Sequence, residues 1–114
     1  MQHDPLVYVG HMLDFAQLAI RKASAAGRDG FLADDTLQLA LLMLVQRIGE
    51  AASHVSSDFR TAHPEVPWHS IVGMRHRIVH DYLNINLGIL WNVVSESLPA
   101  LVPHLEAILA EPNP

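Results

Sequence analysis

The run LALLMLVQRIGEAA, Leu39 to Ala52, is apolar on nearly every face until Gln46. A helix built from it has too little polar surface to lie on the outside of a domain, so it belongs at the centre of a bundle. Its core stripe is Leu37, Leu41, Leu44, Ile48, Ala51 and Val55, at helical spacing. Asp34 or Asp35 supplies the N-cap, and Ser56 and Ser57 break the helix. Gly49, Ala51 and Ala52 leave room for a neighbouring helix to approach closely.

The rest of the chain reads as helices that would surround this one. Asp4 followed by Pro5 is a helix start, because proline at the first helical position loses no hydrogen bond. Leu6, Val9, Leu13, Ala16, Ile20 and Ala23 then repeat at helical spacing, and Gly27 and Gly30 end the helix. A short helical turn, SDFRTA, leads to a rigid bend at Pro64 and Pro67. From Trp68 to about Asp81 the pattern predicts a third long helix, with Ile71, Met74 and Ile78 inward. A fourth starts at Leu87 after an Asn86 cap, with Leu90, Val94, Leu98, Leu101, Leu105 and Ile108 inward and a kink or break at Pro99 and Pro103. No strand is expected. The predicted fold is all-α, an antiparallel bundle of four to five helices, with residues 1–114 as a single domain.

Composition removes several function classes. The chain has 114 residues and no cysteine, which excludes a disulfide scaffold, a thiolate zinc site and a cysteine nucleophile. Its formal net charge of −5 argues against a general nucleic-acid coat protein. The N-terminus lacks a basic flank before an apolar core, and no apolar run is long enough to span a bilayer, so a cytoplasmic location is expected. Hydrophobic residues make up 50% of the chain, high enough to expect that some apolar surface faces another subunit.

Against this background MRHRIVHDY, Met74 to Tyr82, gathers two arginines, two histidines, an aspartate and a tyrosine. Three readings compete. His69, His76 and His80 share one helix face at metal-ligand spacing, yet no carboxylate joins them, and Arg75 and Arg77 would repel a cation. The cluster could equally be solvated helix charge, with Arg75 and His80 satisfying a helix end, and His3, His11, His54, His63 and His104 ordinary surface or interface residues. Spacing alone favours this reading. The third is acid–base chemistry on a phosphodiester. Histidine exchanges protons near neutral pH, and arginine presents a fixed fork of donors to phosphate oxygens. RNA carries its own 2′-hydroxyl nucleophile, so such cleavage needs no metal or cofactor.

Arg75 and His80 are five residues apart, which on a regular helix sets them roughly 140° apart. They could share a site only if the helix unwinds near His80, or if two copies of the chain pack side by side and form a common cleft.

MRHRIVHDY resembles the Arg-x4-His-x-Tyr signature of the HEPN superfamily, in its HepT-like branch. RIGEAA (47–52), PEVPWHSIVGMR (64–75) and LGILWNVVSESLPAL (87–101) resemble that branch in order and spacing. The resemblance implies an all-helical HEPN fold that forms a two-fold homodimer through its motif helices. It implies the toxin of a prokaryotic toxin–antitoxin pair, acting as a metal-independent endoribonuclease without cofactor. It also implies as partner a minimal nucleotidyltransferase antitoxin, which transfers AMP to the motif tyrosine. Carried onto this chain, Arg75 binds the phosphate and transition state, His80 is the general acid or base, and Tyr82 is the modification acceptor. His76 stands where the branch usually has a polar residue, often asparagine, and would support substrate binding or add a second titrating group. Gly49 reads as a packing residue, Glu50 as structural, and Trp68 and Trp91 as core or interface anchors. The alternative from another class is a non-catalytic helical dimer that binds the nucleotidyltransferase and cleaves nothing.

Overall fold

Four side-chain caps delimit the helices of the computed structural model, which describes residues 4–81 and 84–112, with the side chains of His80 and Asp81 outside that description. The Leu6 amide donates to Asp4 Oδ1 (2.9 Å) and opens α1, Pro5–Leu32. The Leu37 amide donates to Asp34 Oδ1 (3.1 Å) and opens α2, Asp35–Ser53. Ser56 Oγ accepts from the Phe59 amide (3.3 Å) ahead of α3, Ser57–Ala62. Asn86 Oδ1 accepts from the Ile89 amide (3.0 Å) ahead of α6, Leu87–Asn92. Each oxygen satisfies an amide that the first turn leaves without an intrahelical acceptor.

The other elements are α4 (Trp68–Val72), α5 (Met74–Ile78), the strands β1 (Val79–Asp81) and β2 (Asn84–Ile85), a π-helical turn over Val93–Ser97, and α7 (Leu98–Leu109). The bundle measures 48 × 28 × 23 Å along its principal axes. Its core is apolar: the buried residues include Val9, Met12, Leu41, Ile48, Ile78, Leu90, Leu98 and Leu105, and no polar residue among those described is buried. Ala16, Ala19 and Ala23 face inward from α1, so α2 and α7 pack closely along it. All six positions expected inward from the last helix are buried, as are Ile71, Met74 and Ile78.

Four local expectations are corrected. First, α1 does not end at Gly27 or Gly30. Gly27 takes φ +70° and kinks the helix, which resumes to Leu32. A residue without Cβ adopts that conformation without strain. Second, no single long helix runs from Trp68 to Asp81. Gly73 closes α4 and leads into α5, which stops at Ile78.

Third, a two-stranded antiparallel ladder follows, with Val79 opposite Ile85 and Asp81 opposite Asn84. The β-branched Val79 and a hydrogen bond from the Asn86 amide to the Ile78 carbonyl (2.7 Å) hold the chain extended there. Fourth, the last helix does not break at its prolines. Pro99 has no amide for the Ser95 carbonyl and its ring crowds that group. The chain accommodates it with the wide turn immediately before, where the Leu98 amide bonds to the Val93 carbonyl. α7 runs on through Pro103.

Candidate active-site groove

The groove is built where α2 and α4 nearly touch. A Cβ on Gly49 would stand 3.2 Å from the Ile71 carbonyl oxygen, so glycine is what allows α4 so near. This bears out the packing role read for Gly49. That approach brings the start of α5 against the polar flank of α2. Met74 and Ile78 enter the core, while Arg75, His76 and Arg77 remain exposed. Helical spacing forces this division: the two apolar residues are four apart and share a face, leaving the three between them outward.

Arg75 Nε donates to Gln46 Oε1 across the helix pair, at 3.2 Å. The contact holds the guanidinium at the rim of a groove of about 250 Å³ lined by Gln46, Glu50, Ser53, Val72, Arg75 and His76, among others. Among the described residues, no acceptor engages the two terminal nitrogens of Arg75. They are the paired donors that a phosphate would use. Arg77 is turned away: its Nη1 donates to the Ser70 carbonyl on α4 (3.2 Å). Arg60, near the cluster in sequence, is not part of the groove. It donates to the Ala52 carbonyl (2.8 Å) and the Val55 carbonyl (3.0 Å), closing the end of α2.

His80 lies on β1, beyond the end of α5, at the irregularity between Val79 and Asp81 where the ladder slips register. The unwinding that Arg75 and His80 would need to share a site is therefore present in the backbone. The side chain of His80 lies outside the description, and Tyr82 lies outside the described residues altogether. His69 and His76 fall on separate helices, α4 and α5, on either side of Gly73. Among the described residues no group of three metal-ligating side chains could hold an ion.

One groove residue escaped the sequence reading. Glu50, read as structural, is exposed and faces the same space as Arg75 and His76. The available signal was its spacing: Gln46, Glu50 and Ser53 recur four and three residues apart and mark the polar flank of an otherwise apolar helix. Exposed apolar residues lie on both helices: Leu39 (48% exposed) and Met43 (59%) on α2, and Val72 (38%) on α4.

Comparison with known proteins gives this groove a context. A family model described as Ribonuclease HepT-like matches residues 12–108. A protein of Caldanaerobacter subterraneus subsp. tengcongensis named as a candidate RNase is 30% identical over 92% of this chain and 94% of its own length. One of Thermococcus cleftensis named as a candidate ribonuclease HepT is 34% identical over 70% of this chain and 73% of its own. One of Methanocaldococcus jannaschii named as a candidate RNase is 27% identical over 94% and 98%. No solved structure gives a significant match.

Proposed function

The chain belongs to the HepT-like ribonuclease family of HEPN proteins, and from that premise we propose that it is a metal-independent endoribonuclease acting through Arg75 and His80. The observation that carries this reading is Arg75 itself. It is an exposed guanidinium oriented by Gln46, its two outer nitrogens free of described acceptors, at the rim of a groove shared with His76.

The chemistry follows from the groups. The 2′-hydroxyl of the substrate attacks the adjacent phosphorus, and the bond from phosphorus to the 5′-oxygen of the next nucleotide breaks. His80 accepts the 2′-proton or delivers a proton to the departing 5′-oxygen, and a second histidine takes the other task. That second group is His76 of the same chain or His80 of a second copy. Arg75 holds the non-bridging oxygens, whose charge grows in the transition state. The products are a 2′,3′-cyclic phosphate and a 5′-hydroxyl. The exposed apolar residues Leu39 and Met43 on α2 and Val72 on α4 support a two-fold homodimer. Burying them against a second copy would set two motifs side by side.

The same reading makes the chain a toxin whose antitoxin is a nucleotidyltransferase that transfers AMP to Tyr82. Tyr82 follows the motif histidine by two residues. Phosphates added there compete for the donors of Arg75 and repel RNA. The test is incubation with single-stranded RNA in EDTA, followed by analysis of the product ends. Cyclic phosphate ends are expected, and loss of cleavage in EDTA with rescue by zinc would overturn the metal-independent mechanism. With the nucleotidyltransferase encoded beside it, ATP and Mg²⁺, the chain should gain AMP on Tyr82, and Tyr82→Phe should escape inactivation. AMP on Tyr8 instead would refute that role.

A further inference from the structure

A second concavity, of about 280 Å³, opens between α1 and the end of α2. It is lined by Tyr8, His11, Phe15, Arg47, Glu50 and His54. Glu50 also lines the Arg75 groove, so the two spaces meet at that residue. Tyr8, His11 and Phe15 recur three and four residues apart on α1, and His54 caps the C-terminus of α2. Their rings form a ladder. Phe15 and His11 are 6.4 Å apart and tilted, His11 and Tyr8 are 6.4 Å apart edge to face, and Tyr8 and His54 are stacked at 5.2 Å and 21°. His11 and His54 are exposed, whereas Tyr8 and Phe15 are half-buried. The outer rings are thus backed by rings fixed against the core. Arg47 is exposed on the same wall and forms no ion pair with any described residue.

We propose that this concavity binds one nucleotide of a single-stranded RNA running on from the Arg75 groove, its base stacked on the His54–Tyr8 pair and its phosphate on Arg47. The inference rests on the RNA-cleaving reading of that groove. Aromatic platforms beside a cation are how proteins hold unpaired nucleotides, because every base has a π-face and every nucleotide a phosphate. The volume falls just below the range of small-ligand sites, about 300–1,000 Å³, which suits one nucleotide. Glu50 orients it: the carboxylate repels phosphate, so the phosphate lies towards Arg47 and the amino edge of the base towards Glu50. A cation is a poorer occupant, since His11, His54 and Glu50 are not arranged to hold a metal.

The probe is a fluorescein-labelled RNA of eight nucleotides, 2′-O-methylated throughout so that it cannot be cleaved. Its affinity for the full chain is read by anisotropy, and each variant's folding is checked by its melting curve. Arg47→Gln and His54→Ala should each bind about tenfold more weakly. On the unaltered chain, a 4-thiouridine version should photocrosslink to the peptides carrying Tyr8 to Phe15 or His54. A chain that cleaves RNA while both variants bind the probe like the wild type overturns the pocket and leaves the catalytic reading standing. Tenfold losses in both variants of a chain that cleaves nothing uphold the pocket and overturn the catalytic reading. Failure of the wild type to bind the probe overturns the pocket, and the cleavage assay alone decides the catalytic reading. Variants that bind RNA normally but lose the neighbouring nucleotidyltransferase would also overturn the pocket.

Discussion

Arg60 and Arg75 lie fifteen residues apart, and their surroundings differ in kind. Around Arg60 the nitrogen donors are taken up by protein acceptors. Arg60 donates to two carbonyls at the end of α2. His63 bonds the Phe59 carbonyl through Nδ1 (3.0 Å) and Glu111 through Nε2 (3.1 Å). Trp68 Nε1 donates to the His63 carbonyl (3.0 Å). Together they tie the end of α2, the α3 turn and the chain's last turn into one joint. Around Arg75 the donors are held but not used up. Charged groups at the first site close backbone ends; at the second they face open space. Residue type and proximity in sequence do not separate these roles, but hydrogen-bond partners do.

The difference is sharpened most by Arg75→Ala. Removing one transition-state contact typically costs on the order of 10²–10³-fold in kcat. RNA cleavage should fall by that factor while the melting temperature stays within about 1 °C, because no described backbone group depends on the side chain. Arg60→Ala should do the reverse. It leaves the Val55 carbonyl without its side-chain donor and the Ala52 carbonyl with backbone donors alone, and should lower stability by about 1–3 kcal/mol in urea unfolding, with cleavage per folded molecule unchanged. A fall in cleavage as large as that of Arg75→Ala would break the distinction.

Gly49→Ala reaches the groove through the backbone. The added methyl presses on the Ile71 carbonyl, and the gain in helix propensity of about 1 kcal/mol offsets part of the strain. Stability should change by no more than about 1 kcal/mol, while cleavage drops severalfold as α4 and α5 shift.

The smallest effect is that of pH on the joint. Burial disfavours the charged form of His63, but the Phe59 carbonyl, Glu111 and Glu65 outweigh it and raise its pKa above the ordinary 6.5. The stabilisation is therefore fully present below about pH 6.5 and is lost as pH rises through the folded value. Glu111 is 55% exposed, so the effect should stay under about 1 kcal/mol. The urea midpoint of the wild type relative to His63→Gln should be higher at pH 5.5 than at pH 8.5.

The helices were legible where apolar spacing alone decides burial. The last helix is the clearest case: its six inward positions follow from Leu, Val and Ile at intervals of three and four, whatever the rest of the chain does. The break at Gly73 and the strand after Ile78 were not legible, because MRHRIVHDY keeps a helical period. What ends the helix is pairing with Asn84 and Ile85, a contact no local pattern displays. The site divides in the same way. Arg75 and His76 stand out within a nine-residue motif. Glu50 joins them from a helix more than twenty residues upstream, and His54 meets Tyr8 from the other end of a helix pair, so both needed the packing of α1, α2 and α4.

The central claim is that Arg75 is held open for RNA while Arg60 is consumed by the fold. Arginine-specific modification with phenylglyoxal, mapped by mass spectrometry with and without the uncleavable RNA, tests it directly. Arg75 should react readily and be protected by RNA, and Arg60 should react slowly in both samples. Equal modification of Arg75 with and without RNA, under conditions where the RNA is bound, would contradict the claim.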